Sequence, residues 1–415
     1  MHSSNGAAKA LIIAPFWHNP THVGGYRVDR FVRWLAAEGV EVVMVCAGRA
    51  DRIAQADYGT EVTVRDPLGL YGDKPGPDGD YQKPQRRPSR LRRSIAYWLF
   101  NPDPGVVWAK RAARHPRVLE HGEGARWVIA SNPPESVHVA GAMLARRLQA
   151  DLIVDMRDGW LDTPLRPILQ RSRLRRWLEG RLETRILRQA KHIFVVSPTC
   201  RLLLTERLAF TRPKTTILTN GYPLNLSPSP PSAPSGRPTL IHAGRFTGSS
   251  NKQAPGHLLA PLLEGVRSIG GEGNIVLIGS LEPEDLEAIA RWRPGFADAG
   301  WRLETRQPIP RAALFDLLQG AAGLLLLSVA RNALPSKLFE YLPTGKPILC
   351  ATLRGSDAWQ VGVSVPQMFP IDYTQPGAGA AREFLRACMS GQYEYAIPPQ
   401  FSEAHLAQVF LHGLR

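Results

Sequence analysis

Short apolar strands alternate with helices along most of the chain, and this alternation restricts the possible folds more than any other feature. The segments 10–16 (ALIIAPF) and 40–48 (VEVVMVCAG) are typical of buried strands. Between them, Val28, Phe31 and Leu35 recur at helical spacing. A strand, a helix and a strand in such close succession form a βαβ unit, which predicts a parallel sheet.

The same alternation continues to residue 197 and restarts after residue 238. In the first half we predict strands at 127–131, 151–156 and 192–197, and helices at 135–149 and 171–190. In the second half we predict strands at 239–244, 274–280, 301–306, 322–328 and 347–352, and helices at 255–268, 283–292, 310–320 and 335–343. The fold class is therefore α/β, with two Rossmann-like halves.

A segment rich in proline and serine separates the two halves. Such a composition cannot hold a helix or a central strand and indicates a linker. We predict an N-terminal domain at 1–222, the linker at 223–238 and a C-terminal domain at 239–390. The remaining residues, 391–415, are expected to be helical and to pack back on the N-terminal domain. Parallel sheets bind ligands at the carboxyl ends of their strands, so we expect the sheets to face a central cleft.

The chain is strongly basic, with 51 Lys and Arg against 36 Asp and Glu and a net charge of +15. This balance favours an anionic partner, which leaves nucleic acid, a membrane surface and phosphorylated small molecules as possibilities. Two basic clusters lie in the N-terminal half: Lys83, Arg86, Arg87, Arg90, Arg92 and Arg93, and then Arg166, Arg171, Arg173, Arg175 and Arg176.

The cysteines and the apolar runs indicate the compartment. The four cysteines are scattered singly, which argues against structural zinc and against a disulfide framework and fits a reducing cytoplasm. Residues 1–10 lack the long apolar stretch of a signal peptide, and the apolar run 321–330 is too short to cross a bilayer. We expect a cytoplasmic protein, soluble or peripheral at a membrane.

The segment 333–350 (ALPSKLFEYLPTGKPILC) carries the sharpest chemical pattern. Pro335 suits the first turn of a helix, and the free N–H groups near Ser336 would attract an anion. Lys337 adds a positive charge, and Glu340 shares its helix face at i+3. A phosphate at the helix tip and a ribose bound by the carboxylate one turn along would describe a nucleoside diphosphate. A plain surface helix with a Lys–Glu pair would show the same pattern.

PSKLFEYLPTGKPIL resembles the donor-site signature of family-four glycosyltransferases, Pro-(Ser/Asn)-Lys-Leu-x-Glu-Tyr-x-x-x-Gly-Lys-Pro, in which Leu338 is also a signature position. Other segments are similar to that family in the same order. They are FWHNPTHVGGYR (16–27), NPDPGVVWAKRA, SNPPESVHVAGAML, VDMRDGW (154–160), VVSPTC, ILTNGYP (217–223) and IHAGRF (241–246). The resemblance covers most of residues 10–350 and implies the two-domain GT-B fold.

The resemblance implies roles for four further donor-binding residues. Gly24 and Gly25 would let the backbone approach a sugar or diphosphate, although a GG pair alone is usually a tight turn. Arg245 and Lys252 would neutralise the donor diphosphate in place of a metal. Lys252 could equally be a solvated loop lysine.

The sequence departs from the family pattern at the expected catalytic positions. Where many retaining members carry a Glu eight residues before the one that matches Glu340, this chain has Asn332. Where many members have a His after the strand 151–156, it has Arg157 and Asp158. Asp158 could orient or deprotonate an acceptor hydroxyl. It could also simply cap the next turn.

No pattern in the sequence predicts a metal site. Asp78 and Asp80 resemble the metal-binding Asp-x-Asp of the other glycosyltransferase architecture, but they lie in a Pro/Gly-rich stretch and are better read as a turn. His18, His22 and His138 lack metal-ligand spacing. His18 and His22 flank the first loop and could contact the acceptor.

The segment 86–100 (RRPSRLRRSIAYWLF) joins basic and aromatic residues, including Arg90, Arg92, Arg93 and Trp98. This combination suits an anionic membrane interface. A core helix with a solvated basic flank is the alternative.

Together with these patterns, the resemblance implies a GT-B glycosyltransferase that needs no cofactor and no metal. The resemblance implies transfer from a nucleoside diphosphate sugar, with retention of configuration, to a lipid-linked glycan at the cytoplasmic face of the inner membrane in polysaccharide assembly. One rival is a GT-B-fold epimerase or hydrolase of UDP-sugars. A nucleic-acid-binding protein is remote, because no nucleic-acid-binding motif accompanies the charge.

Overall fold

The computed structural model describes residues 8–18, 23–71, 99–163, 169, 172–222, 236–246, 254–332, 334–375 and 377–415. The chain divides into two compact units. The N-terminal unit takes the residues up to Val196, together with Cys200–Leu218 and Ala407–Arg415. The C-terminal unit takes Ser197–Thr199 and Thr219–Leu406.

An eight-stranded sheet organises the N-terminal unit. Its strands are β1 (Lys9–Ile13), β2 (Glu41–Gly48), β3 (Arg52–Ala56), β4 (Gly59–Arg65), β5 (Trp127–Asn132), β6 (Asp151–Met156), β7 (His192–Val195) and β8 (Thr215–Ile217). They lie in the order β3-β4-β2-β1-β5-β6-β7-β8. β3 pairs antiparallel with β4, and the other neighbours are parallel. The central strands are buried on both faces, which explains their continuous apolar sequences.

Helices cover this sheet. They are α1 (Val23–Ala37), α2 (Val106–Ala112), α3 (Pro116–Gly122), α4 (Ser136–Leu148), α5 (Arg173–Gln189) and α6 (Pro198–Arg207), with a 3-10 turn at Ala209–Lys214 before β8. The last residues of the chain complete the core of the N-terminal unit. Phe410 stacks on Phe31 with ring centroids 4.5 Å apart, and Trp127 Nε1 donates to the carbonyl of Leu414 at 2.9 Å.

The C-terminal unit is built on a six-stranded parallel sheet. Its strands are β9 (Thr239–Ala243), β10 (Gly273–Ile278), β11 (Trp301–Arg306), β12 (Gly323–Ser328), β13 (Ile348–Thr352) and β14 (Met368–Asp372), in the order β11-β10-β9-β12-β13-β14. Its helices are α7 (Ala254–Ile269), α8 (Pro283–Ala290), α9 (Arg293–Asp298), α10 (Arg311–Gly320), α11 (Ser336–Tyr341), α12 (Asp357–Ser364) and α13 (Gly379–Ser390). The final helix is α14 (Glu403–Leu414). None of the described helices combines the length and the apolarity needed to cross a bilayer.

Two local predictions need correction. The helix expected at 283–292 ends at Ala290, because Pro294 has no N–H to donate to the carbonyl of Ala290, and a separate helix, α9, begins at Arg293. The helix expected at 335–343 covers Ser336–Tyr341 and then tightens to a 3-10 turn at Leu342–Thr344. The hairpin β3–β4 at the sheet edge was not predicted.

Candidate functional site

In the C-terminal unit the strand order reverses between β9 and β12. The chain leaves β9 toward β10 on one side and returns from β11 to β12 on the other. We call this place the β9–β12 switch point. Open parallel sheets bind ligands at such points, at the carboxyl ends of their strands. Residues 244–246 follow β9 at this point, and the turn into α11 follows β12. These are two of the segments that the sequence predicted to bind the donor.

Helix α11 is fixed to the end of β9 through its buried face. Leu338, Phe339 and Tyr341 are fully or almost fully buried, so Leu338 anchors the helix through its side chain. The backbone N–H of Ala243 donates to the Tyr341 hydroxyl at 2.8 Å. Burial raises the pKa of this hydroxyl far above its usual value, so Tyr341 stays neutral and acts as an acceptor.

The start of α11 differs by one residue from the prediction. Pro335 is the N-cap, with φ −57° and ψ 135°, and the six helical residues begin at Ser336. The expectation that Pro335 lies within the first turn is therefore corrected, because its extended ψ excludes it from the helix. Ser336, Lys337 and Glu340 occupy the partly exposed face of the helix.

Lys337 extends over the backbone at the end of β9. Its Nζ lies 3.3 Å from the carbonyl oxygen of Arg245 and 3.4 Å from Nε2 of His242. Burial lowers the pKa of Lys337 to about 8, while the charge of Glu340 opposes this shift. Lys337 is therefore still mainly cationic at neutral pH.

His242 is a part of the site that sequence reasoning missed. It is buried within β9, with Nδ1 2.8 Å from the carbonyl oxygen of Leu325 and its ring stacked on Phe246. Burial, and then the charge of Lys337, lower the pKa of His242 well below its usual value. A carbonyl can only accept, so Nδ1 carries the proton and Nε2 presents a lone pair to the Lys337 ammonium.

The approach of Lys337 requires a glycine at position 244. Gly244 has φ +112°, and a Cβ there would overlap Cε of Lys337 and lie 2.6 Å from its Nζ. Arg245 follows as an exposed side chain. Asn332 lies in the turn after β12, partly buried, and its carbonyl accepts a hydrogen bond from the Ser197 hydroxyl at 3.3 Å.

The N-terminal unit has a second switch point, between β1 and β5. A small pocket there is lined by residues of the loop after β1, by the first turns of α1 and by the end of β5: Ala14, Pro15, Phe16, Trp17, Gly24, Gly25, Val28, Ser131, Asn132, Pro133 and Arg157. The predicted residues Gly24, Gly25 and Arg157 are therefore brought together around one cavity.

A buried ion pair fixes α1 beside this pocket. Arg27 contacts the Asp155 carboxylate through Nε at 2.8 Å and Nη2 at 2.6 Å, and Nη2 also donates to the Leu218 carbonyl at 2.8 Å. The Ser131 hydroxyl donates to Asp155 at 2.6 Å. Both charged side chains are almost completely buried, so removal of either would leave an unpaired buried charge. No pattern in the sequence predicts this pairing.

The two candidate catalytic residues after β6 interact weakly with each other. Arg157 Nη2 lies 3.7 Å from Asp158 Oδ2, and the Asp158 side chain is 36% exposed. Asn132 Nδ2 donates to the backbone carbonyl of Asp158 at 3.0 Å, which fixes the turn. The Asp158 carboxylate thus remains accessible beside the pocket.

His18 has no metal-ligand spacing in the sequence, but the fold brings two further potential ligands beside it. Its Nε2 lies 3.1 Å from Glu61 Oε1 and 3.3 Å from Cys46 Sγ, and within the described ranges these three residues form a group with metal-ligand spacing. Cys46 and Glu61 come together because β2 and β4 are adjacent in the sheet, and His18 reaches them from the segment after β1, the other neighbour of β2. Arg52 Nη2 also lies 3.6 Å from Glu61 Oε1, so hydrogen bonds and ion pairs already account for the group.

His138 is fully buried and stacks on Trp160. Burial lowers its pKa to about 4, so it is neutral at pH 7 and is not an accessible ligand. Several predicted residues lie outside the described ranges: Lys252, His22, Arg90, Arg92, Arg93, Trp98, Asp78 and Asp80.

The packing of Lys337 on Gly244 predicts a large effect of Gly244→Ala. We expect this change to lower the free energy of unfolding of the C-terminal unit by roughly 1–3 kcal/mol, because alanine is strained at this φ and displaces Lys337. Gly379→Ala is the control, since a Cβ at Gly379 meets open space. Urea unfolding measures both variants, and equal effects would contradict the packing described above.

Comparison with known proteins agrees with this architecture. Residues 24–221 match the family described as a glycosyl transferase 4-like domain. No curated protein matches the sequence. Anabaena Alr3699/HepE in complex with UDP and glucose is 14% identical, with 98% of this chain and 99% of that chain covered and a TM-score of 0.59.

Two further solved structures have the same fold. An α,α-trehalose-phosphate synthase from Burkholderia vietnamiensis is 10% identical, with 99% and 96% coverage and a TM-score of 0.55. The lipopolysaccharide outer core galactosyltransferase WaaB is 13% identical, with 98% and 99% coverage and a TM-score of 0.52. At such identities these structures establish the fold, and the family match establishes the activity class. Residues 24–221 therefore form a glycosyl transferase 4-like domain, and the chain is a glycosyltransferase of the GT-B fold.

Proposed function

We propose that the protein transfers a glycosyl group from a nucleoside diphosphate sugar, whose nucleotide binds at the β9–β12 switch point. The observation that carries this proposal is the placement of Lys337 and Glu340 on the partly exposed face of α11, beside residues 244–246. A cation and a carboxylate one turn apart match the diphosphate and the ribose of one ligand. UDP and UDP-glucose in the HepE structures support a uridine nucleotide as the donor.

The cations of this site would stabilise the leaving diphosphate. Negative charge develops on the diphosphate as the glycosidic bond breaks, and fixed positive charges lower the energy of that transition state. Arg245 contributes a guanidinium, and Lys337 is mainly charged at neutral pH because its pKa is about 8. Lys252 is proposed as a third contact on the basis of the resemblance. With these cations the reaction would need no divalent metal.

Glu340 would bind the ribose. A carboxylate offers two acceptor oxygens, and adjacent ribose hydroxyls are donors at the matching spacing. Its position on α11 is fixed, because the opposite face of that helix is held in the core by Leu338 and Tyr341. Asn332, in the turn before α11, would bind hydroxyls of the donor sugar through its amide.

The pocket of the N-terminal unit is proposed to receive the acceptor. Asp158 offers an accessible carboxylate that could orient or deprotonate the attacking hydroxyl, with Arg157 beside it. Gly24 and Gly25 leave room for close approach of a sugar. The resemblance supports retention of configuration and a lipid-linked glycan acceptor at the cytoplasmic face of the inner membrane, in polysaccharide assembly. The basic and aromatic segment 86–100 is consistent with such an acceptor.

Loss of the ribose contact should be visible in binding. Glu340→Gln is expected to weaken nucleotide affinity by about 1.5–3 kcal/mol, the size of hydrogen bonds to a charged group. Glu383→Gln, at an exposed position on α13, is the matched control. Calorimetric titration of UDP measures both variants, and equal affinities in folded proteins would exclude the ribose role.

The low pKa of Lys337 predicts a pH-dependent donor affinity. Above pH 8 the free protein loses this proton, whereas bound diphosphate favours the protonated form. Affinity for UDP should therefore fall by about tenfold between pH 7 and pH 9. Lys337→Met should bind more weakly at pH 7 and lose most of this dependence. An unchanged pH profile in Lys337→Met would show that Lys337 does not face the diphosphate.

Charge stabilisation without metal predicts activity in excess EDTA. Arg245→Ala should reduce kcat roughly 100-fold, as for other transition-state charge contacts. Arg302→Ala, a change at an exposed arginine of the same unit, should have little effect. Inhibition by EDTA that Mn²⁺ or Mg²⁺ reverses would contradict the proposal and point to Asp78 and Asp80. Reversal by Zn²⁺ alone would point to His18, Cys46 and Glu61.

A further inference from the structure

Helix α5 presents a continuous outward face that the donor and acceptor sites do not use. Leu174, Trp177, Arg181, Arg185 and Arg188 follow one another at spacings of three or four residues and therefore share one side of the helix. Leu174 and Trp177 are 57% and 55% exposed, which is unusual for side chains of this size and apolarity. The face is thus apolar at its N-terminal end and cationic at its C-terminal end.

The acidic residues of α5 do not neutralise these arginines. Glu179 is buried against Arg175 at 2.7 Å and also accepts from Trp160 Nε1 at 2.8 Å. Glu183 is buried and binds Arg207 at 2.5 Å.

Arg181, Arg185 and Arg188 are all exposed and have no carboxylate within ion-pair distance in the part of the chain that the structure describes. Arg181 lies over the Trp177 ring at 5.0 Å, and Arg188 lies over Phe210 at 5.6 Å. Three positive charges therefore lie on the outward face of α5, and that of Arg181 lies beside the exposed tryptophan.

A groove of about 940 Å³ runs beside this face, between α5 and the residues around α6. Leu161, Leu182 and Leu208 line it together with the outward arginines. Arg207 also lines the groove, where Asp162 at 2.8 Å and Glu183 hold it in place. An apolar lining with a cationic rim matches the boundary between the acyl chains and the phosphates of a lipid.

We propose that this face of α5 and its groove dock the protein on the surface of a membrane that contains anionic phospholipid. Leu174 and Trp177 enter the interfacial region, where an indole is favoured, and the three arginines bind lipid phosphates. Charge complementarity selects this occupant. A second copy of the chain would place arginines against arginines across a two-fold axis, which is repulsive. The proposal does not depend on the identity of the sugar donor.

The apolar end of the face predicts how binding responds to salt. Contacts between arginine and phosphate weaken as salt screens them, whereas burial of Trp177 and Leu174 does not. Binding to anionic vesicles should therefore fall with salt without disappearing. The groove also predicts little competition from inorganic phosphate, which cannot occupy the apolar floor.

Co-sedimentation of the full chain with phosphatidylcholine vesicles, with and without phosphatidylglycerol, tests the proposal. The triple variant Arg181→Gln, Arg185→Gln, Arg188→Gln should lose roughly 100-fold in partitioning to anionic vesicles, about fivefold for each arginine. The double variant Leu174→Ala, Trp177→Ala should lose the salt-resistant part. The matched control is Arg267→Gln, Arg382→Gln, Arg386→Gln, which removes the same charge from exposed positions on α7 and α13 and should bind like the wild type.

Four outcomes would overturn the proposal. The wild type could ignore anionic vesicles at low salt, or the α5 triple variant could bind as well as the control variant. Arg90→Gln, Arg92→Gln, Arg93→Gln could also abolish binding while the α5 triple variant retains it, which would assign the membrane contact to that segment alone.

Filter binding of a DNA duplex checks a nucleic-acid partner: duplex binding through the same arginines, with no binding to vesicles, would likewise overturn the proposal. UDP affinity and thermal unfolding are measured on every variant, so failure of the donor site is distinguished from failure of the docking face.

Discussion

The contact of Lys337 with the backbone at Gly244 is the interaction on which the candidate donor site depends. It places a cation at the end of β9 only because residue 244 has no side chain and because the buried face of α11 fixes the helix. The neutral Nε2 of His242 lies 3.4 Å from the Lys337 ammonium and can accept a hydrogen bond from it. Burial lowers the pKa of Lys337 to about 8, which is still above neutral pH, so the side chain keeps its charge. An anionic ligand would offset the cost of burying that charge.

The two units fix their switch points by different chemistry. In the C-terminal unit, a neutral hydrogen bond from Ala243 to Tyr341 and apolar packing hold the helix. In the N-terminal unit, the buried Arg27–Asp155 pair holds α1 to the end of β6. A fully satisfied ion pair of this kind is costly to break, which favours a rigid frame around Gly24 and Gly25. An uncharged anchor such as the Ala243–Tyr341 hydrogen bond suits a site for an anionic donor. The cations of the site are not used to hold the helix and remain available to the ligand.

Local patterns in the sequence predicted the central strands of both sheets, since buried parallel strands are continuous apolar runs. The β3–β4 hairpin was missed because β3 lies at the sheet edge and both strands are only partly apolar in sequence. Contacts between residues distant in sequence were also missed. His242 reads as one polar residue inside a strand, and Asp155 is an acidic residue at a strand end. The partners Lys337 and Arg27 are assigned only once the sheet order is known. His18, Cys46 and Glu61 come together for the same reason, because β2 pairs with β4 on one side and with β1 on the other.

The signature around α11 was informative because its spacing follows helix geometry, so the sequence alone placed Lys337 and Glu340 on one face. What such a signature can predict is limited by the same helix geometry. A spacing does not show which side of a helix is buried, and the burial of Leu338 and Tyr341 supplies that information.

Hydrogen–deuterium exchange with and without UDP tests the central claim most directly, because it locates the nucleotide without any substitution. The account predicts slower exchange of backbone amides at 242–246 and 336–341 on saturation, with little change at 14–18 and 24–28. Protection confined to the N-terminal unit, or no protection at 242–246 and 336–341 with any nucleotide that binds, would contradict it.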